Sequence, residues 1–115
     1  MDLKLDAYGL NALMRAEFSQ VAGDFFVEDV KPMEVSVRMP VAEEHLRPGG
    51  TISGPTMFAL ADVSMYLAVL AMIGPVTLAV TTNCSIDFMR KPIAGVDLIA
   101  KARLHKLGRS LAVGD

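Results

Sequence analysis

From Val63 to Val80 the chain carries no charged side chain. A run this long either crosses a bilayer, which takes about 20 apolar residues, or becomes an element covered by protein on several sides. Gly74-Pro75 interrupts it. Proline lacks an N–H and its ring clashes with the preceding turn, so the pair ends a helix. The run therefore reads as the end of one helix and the start of a strand, not as a membrane span. The spacing predicts a long helix over 54–73, apolar nearly all round, and a sheet wrapped around it would bury it.

The segment feeding that helix is Arg47-Pro48-Gly49-Gly50-Thr51-Ile52-Ser53-Gly54-Pro55. Gly54 suits a cap and Pro55 the first helical position. Free N–H groups at a helix start favour negative charge. Two turns on stands Asp62, one carboxylate on an otherwise apolar helix. Such a group needs a partner, water or a function. Solvation or pairing would explain it; so would a pocket in which amide and carboxylate together serve attack on an activated acyl group.

Composition narrows the classes. The 115 residues are 52% hydrophobic and 21% charged, with net charge −2. That predicts one ordered domain over 1–115 with a modest core, and its apolar share hints at a buried interface between subunits. No basic block suggests a nucleic-acid surface. The one cysteine, Cys84, excludes an internal disulfide framework and suits a reducing, cytoplasmic setting; in a predicted strand it reads as a core or interface thiol. The start, Met1 to Asp6, is acidic and lacks the apolar core of a secretory signal.

Around the central helix, residues 6–20 read as a short amphipathic helix with Leu10, Leu13, Met14 and Phe18 at helical spacing. Phe25–Val30 is β-rich. Met33, Val35, Val37 and Met39 alternate, the mark of a strand with one buried face. Residues 40–47 read as a polar connector, with His45 solvated beside Glu43 and Glu44. Leu78–Arg90 alternates Val80, Thr82, Cys84, Ile86 and Phe88 against polar neighbours and is predicted as a strand. Val96–Lys106 is another, Leu107–Ser110 a tight connection, and Leu111–Val113 opens one more. The class is α+β: an antiparallel sheet around one long central helix, preceded by a short N-terminal helix.

These motifs together resemble the hotdog-fold acyl-CoA thioesterases, within them the branch of the phenylacetate-pathway (PaaI-like) thioesterase. The resemblance covers about residues 25–115. Four segments carry it: Gly49–Pro55, Leu60-Ala61-Asp62, Val80–Pro92 and Lys106–Ser110. It implies that the Gly54 N–H polarises a thioester carbonyl. Asp62 is then the nucleophile or the general base for water. Thr81, with Asn83 as a weaker candidate, holds the water or carboxylate. It implies a homodimer or homotetramer in which the loop and the carboxylate of one site come from different subunits. Arg90, Lys91, Gly108 and Arg109, with Ser53 on the loop, are implied to meet a coenzyme A thioester. That thioester is the substrate, and no cofactor or metal is expected.

Two departures stand out. Many relatives have His-Gly-Gly where this chain has Ser53-Gly54-Pro55, so a histidine is absent and Pro55 offers no N–H. The family also continues beyond the strand begun at Leu111, and a sheet lacking late strands leaves an edge unpaired. A non-catalytic acyl-CoA-binding hotdog protein is the alternative from another class. An enoyl-thioester hydratase is disfavoured because no histidine lies near Asp62 in sequence.

Overall fold

The computed structural model describes residues 2–115; Met1, the first residue of the acidic N-terminal stretch, lies outside them. The elements are α1 (Ala7–Glu17), β1 (Phe26–Lys31), β2 (Glu34–Met39), β3 (Leu46–Arg47), β4 (Thr51–Ile52), α2 (Gly54–Ile73), β5 (Leu98–Leu107) and β6 (Ala112–Gly114). Four of them form one antiparallel sheet in the order β1-β2-β5-β6. The β3–β4 pair stands apart as a two-residue ribbon before α2.

Alternation decides which face of the sheet is covered. Val35, Val37 and Met39 of β2 and Ala102 and Leu104 of β5 are buried, and their register brings Val35 opposite Ala102 and Val37 opposite Ala100. Onto this face α2 sets Leu60, Leu67, Leu70 and Ala71. By length and composition α2 could cross a membrane, yet these side chains are sealed against the sheet and belong to the core. On the outer face Arg38 reaches Glu28 at 2.7 Å and Asp97 at 3.2 Å, and the two carboxylates hold its guanidinium above its usual range. Such exposed pairs stabilise weakly, typically by under about 1 kcal/mol.

The N-terminal helix has local and long-range causes. The Asp6 carboxylate caps it by accepting from the Gly9 N–H at 2.8 Å, and Leu10 and Met14 enter the core. Asn11 then closes the free edge of β1: its amide donates to the Val27 carbonyl at 3.0 Å and accepts from the Val27 N–H at 2.9 Å. One side chain thus supplies what a neighbouring strand would. At the other end of α2, Gly74 at φ +93° donates to the Leu70 carbonyl at 2.9 Å. The Ala71 carbonyl accepts from Lys4 at 2.7 Å and Leu5 at 3.2 Å.

The structure corrects four expectations. Ser53, not Gly54, is the helix cap, so Gly54 takes the first helical position and Pro55 the second; a hydroxyl that accepts from an N–H caps better than a bare glycine. The 40–47 connector contains a 3₁₀ turn at Glu43–His45 and then β3. Residues 78–90 form no strand ladder: Ala79 to Met89 runs without regular secondary structure, with Val80 79%, Phe88 54% and Met89 89% exposed. Alternation marks a chain ready to pair, but no strand among the described residues forms a ladder with it. For the same reason Cys84 is exposed rather than in the core.

Candidate active site

The start of α2 is built by side-chain competition. Ser53 Oγ accepts from the Thr56 N–H at 3.2 Å and shares a second hydrogen bond with Thr56 Oγ1 at 2.8 Å. Its hydroxyl is thereby used in capping. Pro55 has no N–H. The Gly54 N–H, at the first helical position, has no preceding carbonyl within the helix to bond, and no acceptor meets it among the described residues. Gly54 lines a cleft of about 450 Å³ together with Arg47, Met57, Phe88, Arg90 and Lys91. The Phe88 ring stands 3.3 Å from where a Cβ on Gly54 would lie.

Asp62 occupies a different cleft. Its Oδ1 accepts a 2.5 Å hydrogen bond from Thr81 Oγ1, and both residues line a cavity of about 420 Å³ with Val63, Tyr66, Phe18 and Leu78. Phe18 and Tyr66 meet edge to face, ring centroids 6.2 Å apart, an arrangement favoured by the ring quadrupoles. The Tyr66 hydroxyl donates to the Thr77 carbonyl at 3.0 Å. Burial pushes the Tyr66 phenol up from its ordinary value, and the nearby Glu17 charge adds to the rise. Glu17 also lines this cavity. The cavity thus combines apolar side chains with the Asp62 and Glu17 carboxylates and the Thr81 hydroxyl.

Gly54 and Asp62 are eight residues apart on one helix, a rise of about 12 Å. They line separate clefts, so within one chain they do not converge on one reacting atom. Of the other residues singled out in sequence, Arg90 and Lys91 share the Gly54 cleft. Asn83 is exposed on the extended segment. Gly108 sits in the β5–β6 connection, donating to the Leu111 carbonyl at 2.8 Å, and Arg109 is exposed beside it.

His45 differs from expectation: its side chain is 13% exposed, and it shares a further cleft with Asp62, Thr56 and Asp24. Nδ1 accepts from the Ala42 N–H at 2.8 Å, which leaves the proton of a neutral ring on Nε2. No hydrogen bond joins it to Asp62 among the described residues. Among those residues no cluster of three His, Cys, Asp or Glu side chains is placed to hold a metal ion. Sequence reasoning also missed Phe18 and Tyr66, which read as helix-face core positions, and Phe88, which read as a strand residue. The aromatic spacing between the two helices gives no sign of where they meet.

Comparison with known proteins gives the family and the fold. The thioesterase superfamily model matches residues 49–115, from the Gly-Gly turn through α2 and both late strands. A candidate thioesterase from Silicibacter sp. TM1040 superposes with a TM-score of 0.89 at 56% identity, over 99% of this chain and 79% of that one. Zebra fish thioesterase superfamily member 2 gives a TM-score of 0.81 at 26% identity, over 95% and 82%. A single-substitution variant of the phenylacetic acid degradation protein PaaI from Thermus thermophilus gives 0.66 at 32% identity, over 85% and 76%. A candidate esterase of Pseudomonas aeruginosa is 29% identical over 90% of this chain and 78% of its own length. The antiparallel sheet on one long helix is the hotdog fold of these neighbours, and the chain, a thioester hydrolase of the PaaI-like branch, belongs to the thioesterase superfamily.

Proposed function

We propose that this protein is an acyl-CoA thioesterase in which Asp62 activates water, or attacks directly, while the Gly54 amide receives the charge on the carbonyl oxygen. The observation that carries the reading is the Thr81–Asp62 hydrogen bond on the lining of a largely apolar cavity. One carboxylate oxygen is held by a hydroxyl and the cavity can take an acyl chain. In the general-base route Asp62 removes a proton from water, the water oxygen bonds to the acyl carbon, and the carbonyl electrons move to oxygen. Collapse breaks the C–S bond, and the thiolate of coenzyme A leaves and takes up a proton. In the covalent route the Asp62 oxygen bonds to the acyl carbon, the C–S bond breaks and the thiolate leaves, and water then cleaves the resulting anhydride to free the acid and restore the carboxylate.

The separate clefts support a site assembled from two copies of the chain, as a homodimer or homotetramer, with Gly54 of one facing Asp62 of the other. The unpaired, exposed segment Ala79–Met89 is a surface on which such pairing can occur. Arg90 and Lys91 suit the phosphates of the coenzyme and Ser53 serves as the cap that fixes Gly54. Asn83, Gly108 and Arg109 keep a role only if the assembly brings them to the ligand. A reducing cytoplasm is the matching compartment for a coenzyme A thioester.

The test is a thiol-release assay across aryl and short- to medium-chain acyl-CoAs, wild type against Asp62→Asn. Hydrolysis that falls about 10²–10⁴-fold in the variant is expected. Turnover unchanged by the substitution removes Asp62 from the mechanism. Tight acyl-CoA binding without turnover favours a binding protein, the reading that the single remaining backbone donor at Gly54-Pro55 keeps open.

A further inference from the structure

The turn Arg47-Pro48-Gly49-Gly50 is closed by its own backbone. The Gly50 N–H donates to the Arg47 carbonyl at 3.1 Å, and Gly49 has φ +102°. Proline second and a positive-φ glycine third is the pattern of a type II turn. It folds the chain back so that Arg47 pairs with Thr51 and Leu46 with Ile52. The ladder is extended by Ser53, whose N–H donates to the His45 carbonyl at 2.9 Å. Arg47 is therefore held on the strand paired with the one that delivers Gly54, is exposed, and is one of the residues lining the Gly54 cleft.

We propose that Arg47 is a catalytic residue, the second donor to the thioester oxygen. This rests on the thioesterase reading and deepens it. The chemistry at the helix start calls for such a donor: Pro55 has none, the Ser53 hydroxyl is used in capping, and Gly54 offers one N–H. A guanidinium supplies fixed N–H groups and a permanent charge. No acidic side chain lines that cleft, and Arg47 forms no ion pair among the described residues, so its charge is not already neutralised. Arg90 and Lys91 also line this cleft and continue into a neighbouring one with Ile93, Val96 and Asp97; as basic side chains they suit the coenzyme's phosphates. Arg47 instead is tied to the strand entering α2. As the acyl carbon is attacked, the carbonyl electron pair moves onto oxygen and Arg47 hydrogen-bonds the oxyanion without giving up a proton. When the C–S bond breaks, that pair returns to the carbonyl.

The experiment compares one acyl group carried on coenzyme A and on N-acetylcysteamine, which has no phosphates. Wild type, Arg47→Gln and Arg47→Lys are assayed, with a thermal melt of each. Arg47→Gln should lower kcat about 10²-fold on both carriers, with KM little changed and the melt near that of wild type. Arg47→Lys keeps the charge without the planar fork and should fall in between. A loss confined to the coenzyme A carrier and expressed in KM assigns Arg47 to phosphate and overturns the proposal. So does unchanged kcat on both carriers in a wild-type enzyme that is active. Should Arg47→Gln fail to fold, Arg47→Lys carries the same comparison between carriers. A wild type that hydrolyses neither carrier overturns the thioesterase reading itself, a result distinct from the others.

Discussion

Thr81 donates its hydroxyl hydrogen to Asp62 across 2.5 Å and so ties the middle of α2 to an extended segment with which it shares no strand ladder. The bond fixes one carboxylate oxygen of a residue that lines the cavity and leaves the other without a hydrogen-bond partner among the described residues. A hydrogen bond to a charged group contributes about 1.5–3 kcal/mol, and each 1.4 kcal/mol is about a factor of ten. Thr81→Val should therefore lower kcat roughly 10- to 100-fold with little change in KM, while Thr81→Ser, which keeps the hydroxyl, should stay near wild type. Steady-state kinetics on any accepted acyl-CoA checks this. Equal kinetics for valine and threonine would mean that the pair only braces the segment.

Gly54 invites a substitution that separates the site from the fold. Its backbone is not in the positive-φ region, so alanine is tolerated there. The added Cβ would meet only the far end of Phe88 at 3.3 Å, and that ring is half-exposed and able to move. Gly54→Ala should melt within a few degrees of wild type, because no core contact is lost. The methyl adds bulk to the cleft that Gly54 lines, and kcat should fall about tenfold or more if its N–H receives the oxyanion. A full loss of folding, or unaltered kcat, would remove Gly54 from the oxyanion site.

The parts of this architecture that sequence made legible are those governed by local rules. The period-2 burial of β2 and β5, the long α2 and its end at Gly74 follow from side-chain alternation and backbone chemistry. Asp62 stood out because a carboxylate is conspicuous on an apolar helix. Three features escaped because they depend on partners remote in sequence. The 79–89 segment has strand alternation, but a ladder needs a paired neighbour, and none of the described strands pairs with it. Phe18 reaches Tyr66 only once α1 and α2 pack. His45, which reads as a solvated loop residue, is covered because its ring nitrogen binds back to Ala42 and its backbone carbonyl receives Ser53.

Within the core, Ser64 is 1% exposed and its Oγ has no hydrogen-bond partner among the described residues. A buried hydroxyl left unpaired costs about 1–3 kcal/mol, and serine is also a poorer helix former than alanine. Ser64→Ala should accordingly raise the midpoint of chemical denaturation, by about 1 kcal/mol or more at unchanged denaturant slope. A destabilised variant would show that the hydroxyl is satisfied in the assembled protein.

Tyr66 gives the protein an alkaline limit. Its phenol is held above its ordinary value of 10.0 by burial and then by the Glu17 charge, and in the neutral form it donates to the Thr77 carbonyl. A folded-state pKa raised above the unfolded one contributes stability that is complete below the unfolded pKa and is lost as pH rises through the folded one. The contribution of Tyr66 should thus be constant through neutral pH and disappear above about pH 10. The chain has two tyrosines, so Tyr8→Phe leaves Tyr66 as the sole phenol, and ultraviolet absorbance then follows its ionisation alone. The midpoint should lie above 10.0, and the melting-temperature advantage of the Tyr8→Phe protein over Tyr8→Phe/Tyr66→Phe should shrink across that same range. Glu17→Gln, which removes the lesser of the two causes, should lower the midpoint part of the way. A midpoint at or below 10.0 would show that the phenol is solvated and that the cavity beside Asp62 stands open to water.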